Sequence, residues 1–278
     1  MLIRAGYEIA YECPAPTPLQ LLLNVHSSRR RDLVTQDTMH NDRGAPMTQY
    51  FDLFGNLCTR VLAPAGRIVF SSDFFIEDSG EPDPVAPQAA ASPVETLPDE
   101  VMVYLLGSRY CETDQMTDLA WGLFENTPPG WARVQAIVDY VHERIDFGYH
   151  HARPTKSARE AHEERCGVCR DFAHLAVTLC RCMNIPARYC TGYLGDIGVP
   201  PVDAPMDFSA WFEAWLDGGW RTFDARHNAP RIGRIPVAYG RDATDTAITT
   251  AFGTALLAKF SVVTDEVPEP RMRAGAWR

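Results

Sequence analysis

No stretch of about 18 consecutive apolar residues occurs in the 278-residue chain, so no helix is expected to span a bilayer. The opening residues, Met1-Leu2-Ile3-Arg4-Ala5-Gly6, lack the apolar core and small-residue cleavage pattern of an export leader, which points to the cytoplasm. Positive charge is in short supply: 26 Lys and Arg stand against 36 Asp and Glu, a net charge of −10. Phosphate-rich partners would be repelled, so neither nucleic acid nor a membrane surface is expected as a partner. The one basic run, Ser28-Arg29-Arg30-Arg31, is followed at once by Asp32 and reads as a solvated turn. Eight cysteines are too few for a disulfide scaffold, and five of them crowd into residues 166–190, which fits a reducing compartment. No internal repeat is present.

What the chain does have is enough apolar material, 46%, to bury a sizeable core. The expected class is α+β, in three parts. Residues 1–77 read as a β-sandwich-like domain, from strand-length runs at Ile3–Glu12, Leu19–Val25, Leu57–Leu62 and Arg67–Phe74 with Gly, Pro and Asn between them. Residues 78–99 carry Pro82, Pro84, Pro87, Pro93 and Pro98 and no aromatic residue, and read as a linker or surface excursion. Residues 100–278 read as a second domain. In it Thr113-Asp114 opens a helix over 115–126 that Pro128-Pro129 closes. Trp131, Val134, Ile137, Val138, Val141 and Ile145 mark the buried face of the next helix.

A further helix is expected within 166–184. Cys169, Phe172, Ala173, Ala176, Val177, Cys180 and Met183 share one face, and Asn184-Ile185-Pro186 ends it. Strands follow at 187–193, 210–216 and 219–224, the last two joined by Asp217-Gly218-Gly219, a hairpin signal. Cys169 stands at the helix start, where unpaired backbone N–H groups and the dipole favour thiolate. Cys180, Cys182 and Cys190 read as small core residues.

The run Gly167-Val168-Cys169-Arg170-Asp171-Phe172-Ala173, then Ile185-Pro186-Ala187-Arg188, Ser209-Ala210-Trp211 and Phe223-Asp224, resembles the core of the transglutaminase-like superfamily. Tyr50 to Asn56 resembles the β-rich N-terminal region of its bacterial members. The resemblance implies a papain-like core and a Cys–His–Asp triad. Cys169 and Asp224 match the cysteine and the aspartate, but Ser209 stands where the family has histidine.

Strand alternation puts residue 209 on one face with Trp211 and Asp224, so the place for a base exists and a hydroxyl fills it. Serine cannot take a proton from a thiol at neutral pH. Three readings stay open. Another histidine serves, with His227 the candidate although simple alternation puts it on the wrong face. A dipole-activated thiolate acts without a histidine. Or the chemistry is lost and the protein only binds. His174, about 140° round the helix from Cys169, and His150 and His151 are weaker candidates.

Two rival classes use the same cysteines. Cys166-Gly167-Val168-Cys169 is a CxxC at a helix start, as in dithiol redox proteins. Cys166, Cys169, Cys180 and Cys182 also suggest zinc, but Cys180 and Cys182, two apart on one helix, cannot face one ion. No metal or other cofactor is called for. Trp211 is a candidate wall of the cleft, and Asp203 and Asp207 candidate rim carboxylates. The implied activity is attack of Cys169 on an amide of a peptide or protein, giving an acyl-enzyme that water or an amine resolves.

Overall fold

The computed structural model describes residues 1–202 and 206–268, so Asp203 lies outside the described residues. In chain order the strands begin with β1 (Leu2–Cys13), β2 (Thr17–Leu21), β3 (His40–Asn41), β4 (Met47–Phe51), β5 (Leu57–Ala63) and β6 (Gly66–Glu77). Helices α1 (Asp99–Met102), α2 (Thr113–Phe124) and α3 (Trp131–Arg144) follow, then β7 (Asp146–Phe147), α4 (Ala158–Glu164), β8 (Cys166–Gly167) and α5 (Cys169–Cys182). The chain continues through β9 (Ala187–Tyr193), β10 (Ser209–Leu216), β11 (Gly219–Phe223), β12 (Ile235–Gly240), β13 (Thr249–Ala251) and β14 (Leu256–Glu266).

Three four-stranded sheets result, ordered β14-β1-β6-β3, β13-β2-β5-β4 and β11-β10-β9-β12. The first two share one apolar core built from alternate residues of their strands, including Ile9, Leu21, Ile68, Phe70 and Phe74. That core extends to Tyr193, Ile235 and Val237 of the third sheet, so the two halves of the molecule are not separate bodies.

The expected second domain, 100–278, does not hold at its C-terminal end. β14 pairs along β1 from Ile3↔Glu266 to Glu12↔Leu256, and β13 pairs with β2. The last strands complete the N-terminal sheets because β1 and β2 would otherwise present long unpaired edges. Nor is 78–99 a loose linker. Ala89 is buried, its carbonyl accepts from the Trp131 N–H at 2.9 Å, and the Ala90 carbonyl accepts from the Asp217 N–H at 2.9 Å. The segment lies strapped across the helical half and pairs at Ala91 with Leu216.

Helix α5 is the hub. Every residue from Asp171 to Cys182 is buried, not one face only, because α2, α3 and α4 pack on one side and β9 and β10 on the other. Each fully covered Phe, Leu or Val contributes about 1.5–3 kcal/mol relative to exposure. The buried cation at its last turn, Arg181, donates to the carbonyls of Ala187 (2.9 Å), Leu106 (3.0 Å) and Arg241 (2.6 Å), which fastens the helix to its surroundings.

The hairpin forms as its sequence expects. Asp217 and Gly218 both take positive φ, 53° and 70°, and Leu216 pairs with Gly219 up to Phe212↔Phe223. Gly192 on β9 lies opposite Ser209, where a Cβ would meet the Ile235 carbonyl oxygen at 2.1 Å and the Trp211 ring at 2.9 Å. Gly192→Ala is expected to cost about 1–3 kcal/mol through overpacking, read as a lowered denaturation midpoint with unchanged slope.

Candidate active site

Cys169 begins α5, and the first turn is fixed by its own sequence. The Asp171 carboxylate accepts from the Val168 N–H at 2.9 Å and is paired with Arg170 at 3.3 Å. A side chain at Gly167 would meet the Asp171 Cβ at 2.7 Å, so only glycine lets that carboxylate fold back. The half-buried Cys169 side chain packs near Ala173, Tyr189 and Ala210. Burial pushes its thiol up to about 11, with the Arg226 charge opposing and the Asp207 charge adding. The helix start therefore does not make a resting thiolate, because loss of water outweighs the dipole.

Asp224 sits just past β11, 5% exposed, with four hydrogen bonds. Oδ1 accepts from the N–H groups of Arg226 and His227, both at 3.0 Å. Oδ2 accepts from Arg234 Nη2 and lies against His227 Nδ1, both at 2.9 Å. Burial alone would raise this carboxyl, but Arg234 and the bonds from His227 outweigh it and hold the group below the ordinary carboxylate range. An ionised carboxylate only accepts, so His227 donates from Nδ1, which in the neutral ring makes Nε2 the acceptor.

His227 reaches this place because strand alternation stops at Phe223. Residues 224–228 turn, with the Asp224 carbonyl accepting from the Asn228 N–H at 2.8 Å and Asn228 at φ 47°. The face expected from continued alternation is overturned by that turn, which the Asp224 side chain itself nucleates.

Three supporting residues had no signal in sequence. Arg234, buried at 8% exposure, joins Asp224 to Asp83 of the strap, whose Oδ2 lies 2.8 Å from Arg234 Nε. Asp83 also accepts from the Arg231 N–H at 2.9 Å. Arg29 Nη1 donates to the Arg234 carbonyl at 3.0 Å and Nη2 to that of Glu77 at 2.9 Å. The basic run is thus no merely solvated turn: its first arginine reaches into the site's support. Long-range partners such as these have no local pattern to reveal them.

A cavity of about 280 Å³ is lined by Cys169, Ser209, Asp207, Arg226 and His227, with Asp196, Arg231, Tyr149 and mainly apolar residues such as Phe208 forming its remaining wall. The structure therefore brings together Cys169, Ser209 and His227, with Asp224 behind His227. Trp211 is not part of this wall. It points to the side of the sheet away from the helix that carries Cys169, 2% exposed, with the Arg234 guanidinium 5.0 Å from its ring; Ser209 shares that face by alternation and borders the cavity only as the first residue of β10. Among the rim carboxylates, Asp207 lines the cavity and is raised by burial.

His174 is buried, stacked on Tyr110 at 4.9 Å, with Nε2 accepting from the Ala243 N–H at 3.1 Å. Burial drives it down to about 3, so it is a neutral core group. His150 and His151 lie against each other, 3.9 Å between ring centres, outside the cavity lining. Cys166 and Cys169 are both free thiols, and Cys166 Sγ lies 3.9 Å from the buried Lys156 ammonium.

Replacing Arg234 tests the support. Arg234→Met leaves Asp224 buried without its counter-charge and is expected to cost about 3–5 kcal/mol at pH 7 in urea denaturation. Because the folded carboxyl is depressed, its stabilisation is complete above the unfolded value near 3.9 and is lost as pH falls through the folded value. The penalty should therefore shrink in acid, and Asp224→Asn should recover part of it in the double variant.

Residues 118–225 match the model of the transglutaminase-like superfamily, which takes in Cys169, Ser209 and Asp224 and stops just short of His227. The chain is 34% identical over 121 residues to the uncharacterized protein ML0607 of Mycobacterium leprae, a match covering 41% of this chain and 42% of that protein's length. The crystal structure of a "Putative Cysteine Protease" from Cytophaga hutchinsonii superposes with a TM-score of 0.83 at 26% identity, covering 97% of this chain and 92% of that one. With the helix-borne cysteine, the antiparallel sheet and the buried aspartate in place, residues 118–225 are similar to the core of the transglutaminase-like superfamily.

Proposed function

We propose that the protein is a thiol acyl-transfer enzyme, a cysteine protease or amidase, in which His227 is the base that residue 209 does not supply. The observation that carries this reading is the 2.9 Å bond between His227 Nδ1 and Asp224 Oδ2 beside the cavity that holds Cys169. The similarity to the superfamily core and the likeness to the Cytophaga hutchinsonii protein support thiol-dependent acyl transfer or proteolysis as the general role.

Because burial favours the neutral thiol, the proton leaves as the sulfur attacks. His227 Nε2 takes it, Asp224 stabilises the imidazolium, and Sγ bonds to the amide carbonyl carbon. The first-turn N–H of Cys169 has no partner within the helix and is the natural donor to the developing oxyanion. Collapse of the tetrahedral adduct expels the amine, which takes the proton from His227. Water or a second amine then resolves the thioester.

The second reading, a binding protein with lost chemistry, draws on the same raised thiol. The two separate in one set of measurements. Wild type is assayed for hydrolysis of a fluorogenic peptide-amide panel and for incorporation of a fluorescent amine into casein. Cys169→Ala is expected to abolish turnover and His227→Ala to lower kcat by about 10²–10⁴-fold. A wild type inert in both assays, or a His227→Ala variant as fast as wild type, would sink the assignment.

Alkylation gives an independent readout. Iodoacetamide labelling of Cys169 without substrate should stay slow at pH 7 and climb toward a midpoint near 11, as burial dictates. A plateau already reached at neutral pH would show a resting thiolate instead.

A further inference from the structure

Arg226 stands out among the cavity residues. Its backbone N–H is tied to Asp224 Oδ1 at 3.0 Å, so it is anchored directly between Asp224 and His227. Its guanidinium lies 3.8 Å from the centre of the Phe147 ring, stacked as a planar group on an aromatic face. It lines the same cavity as Cys169, and its charge acts on the Cys169 thiol. Yet among the described residues it has no ion-pair partner.

The other charges of the cavity are accounted for. Asp196 lies 3.8 Å from Arg231 and accepts from the Val202 N–H at 2.9 Å. Asp207 also lines the cavity, and its charge and that of Arg226 act on each other, but no ion pair joins the two side chains. The rest of the lining is largely apolar, including Leu194, Val199, Met206 and Phe208. A planar guanidinium with no ion-pair partner among the described residues, in a largely apolar cavity that also holds Cys169, is suited to binding a carboxylate in two-point fashion.

We propose that Arg226 is a carboxylate-recognition residue, and that the substrate acylating Cys169 is an amide carrying a carboxylate close to the scissile carbonyl. The inference rests on Cys169 as the acyl acceptor, and it adds what that reading leaves open, the substrate's charge.

Two alkylating agents of nearly equal size separate this from simple thiol reactivity. Iodoacetate carries a carboxylate and iodoacetamide its neutral amide; each forms an Sγ–C bond and expels iodide. Their rate ratio at Cys169, followed by peptide mass analysis, cancels any change in thiolate fraction. Relative to a free cysteine peptide, wild type should favour iodoacetate by about tenfold or more, and 0.5 M NaCl should erode the preference. Arg226→Met should bring the ratio to that of the free peptide, and Arg226→Lys should keep part of it.

A wild-type ratio equal to that of Arg226→Met overturns the proposal. Should burial keep both reagents from Cys169, calorimetric titration of Cys169→Ala with N-acetyl-leucine and N-acetyl-leucinamide decides. The acid should bind about tenfold tighter, and only while Arg226 is present. Equal binding, or binding of neither, overturns it. A protein that prefers iodoacetate but turns over no amide keeps the carboxylate site and loses the catalytic assignment. Turnover without the preference loses the carboxylate site alone.

Discussion

Asp224 holds a full charge at 5% exposure, and much of the molecule is arranged to keep that charge in place. A carboxylate taken out of water is costly unless its lone pairs are filled and a cation lies nearby. Here two backbone N–H groups, a guanidinium and an imidazole fill them. The guanidinium is itself buried and needs a second acid, Asp83, from a segment 151 residues earlier in the chain. Its backbone is in turn gripped by Arg29 from the N-terminal sandwich. A site built on the third sheet thus draws its support from the strap and from the first two sheets.

In the proposed reading, that arrangement supplies the imidazole that residue 209 does not. The histidine in this family's pattern is borne on a strand, positioned by sheet register. His227 is instead positioned by a turn whose geometry is set by the Asp224 side chain, so base and orienter are built together in four consecutive residues. Ser209 and His227 line the same cavity.

Much of the scaffold was legible in the residues. The boundaries of α3 and β9, the register of the β10–β11 hairpin and the place of Cys169 at the start of α5 follow from apolar spacing and from Asp217-Gly218, because these depend on neighbours in sequence. What was not legible depends on distance or on the end of a pattern. The face of His227 could not be read because alternation stops one residue before Asp224. The orientation of Trp211 toward Arg234, the raised thiol of Cys169 and the pinning of 78–99 all follow from packing between remote segments. The placement of 249–266 failed for the same reason: a strand's sequence says that it needs a partner and not which one.

The pairing of β14 with β1 has a consequence for the order in which the protein can assemble on the ribosome. β1 meets β6 within about 75 residues, a closure that costs little, but its other neighbour is synthesised some 250 residues later. The papain-like half, made in between, already shares apolar contacts with the sandwich through Tyr193, Ile235 and Val237. Until residues 256–266 are made, therefore, the growing chain carries an open strand edge along β1, and β14 is the strand that closes it.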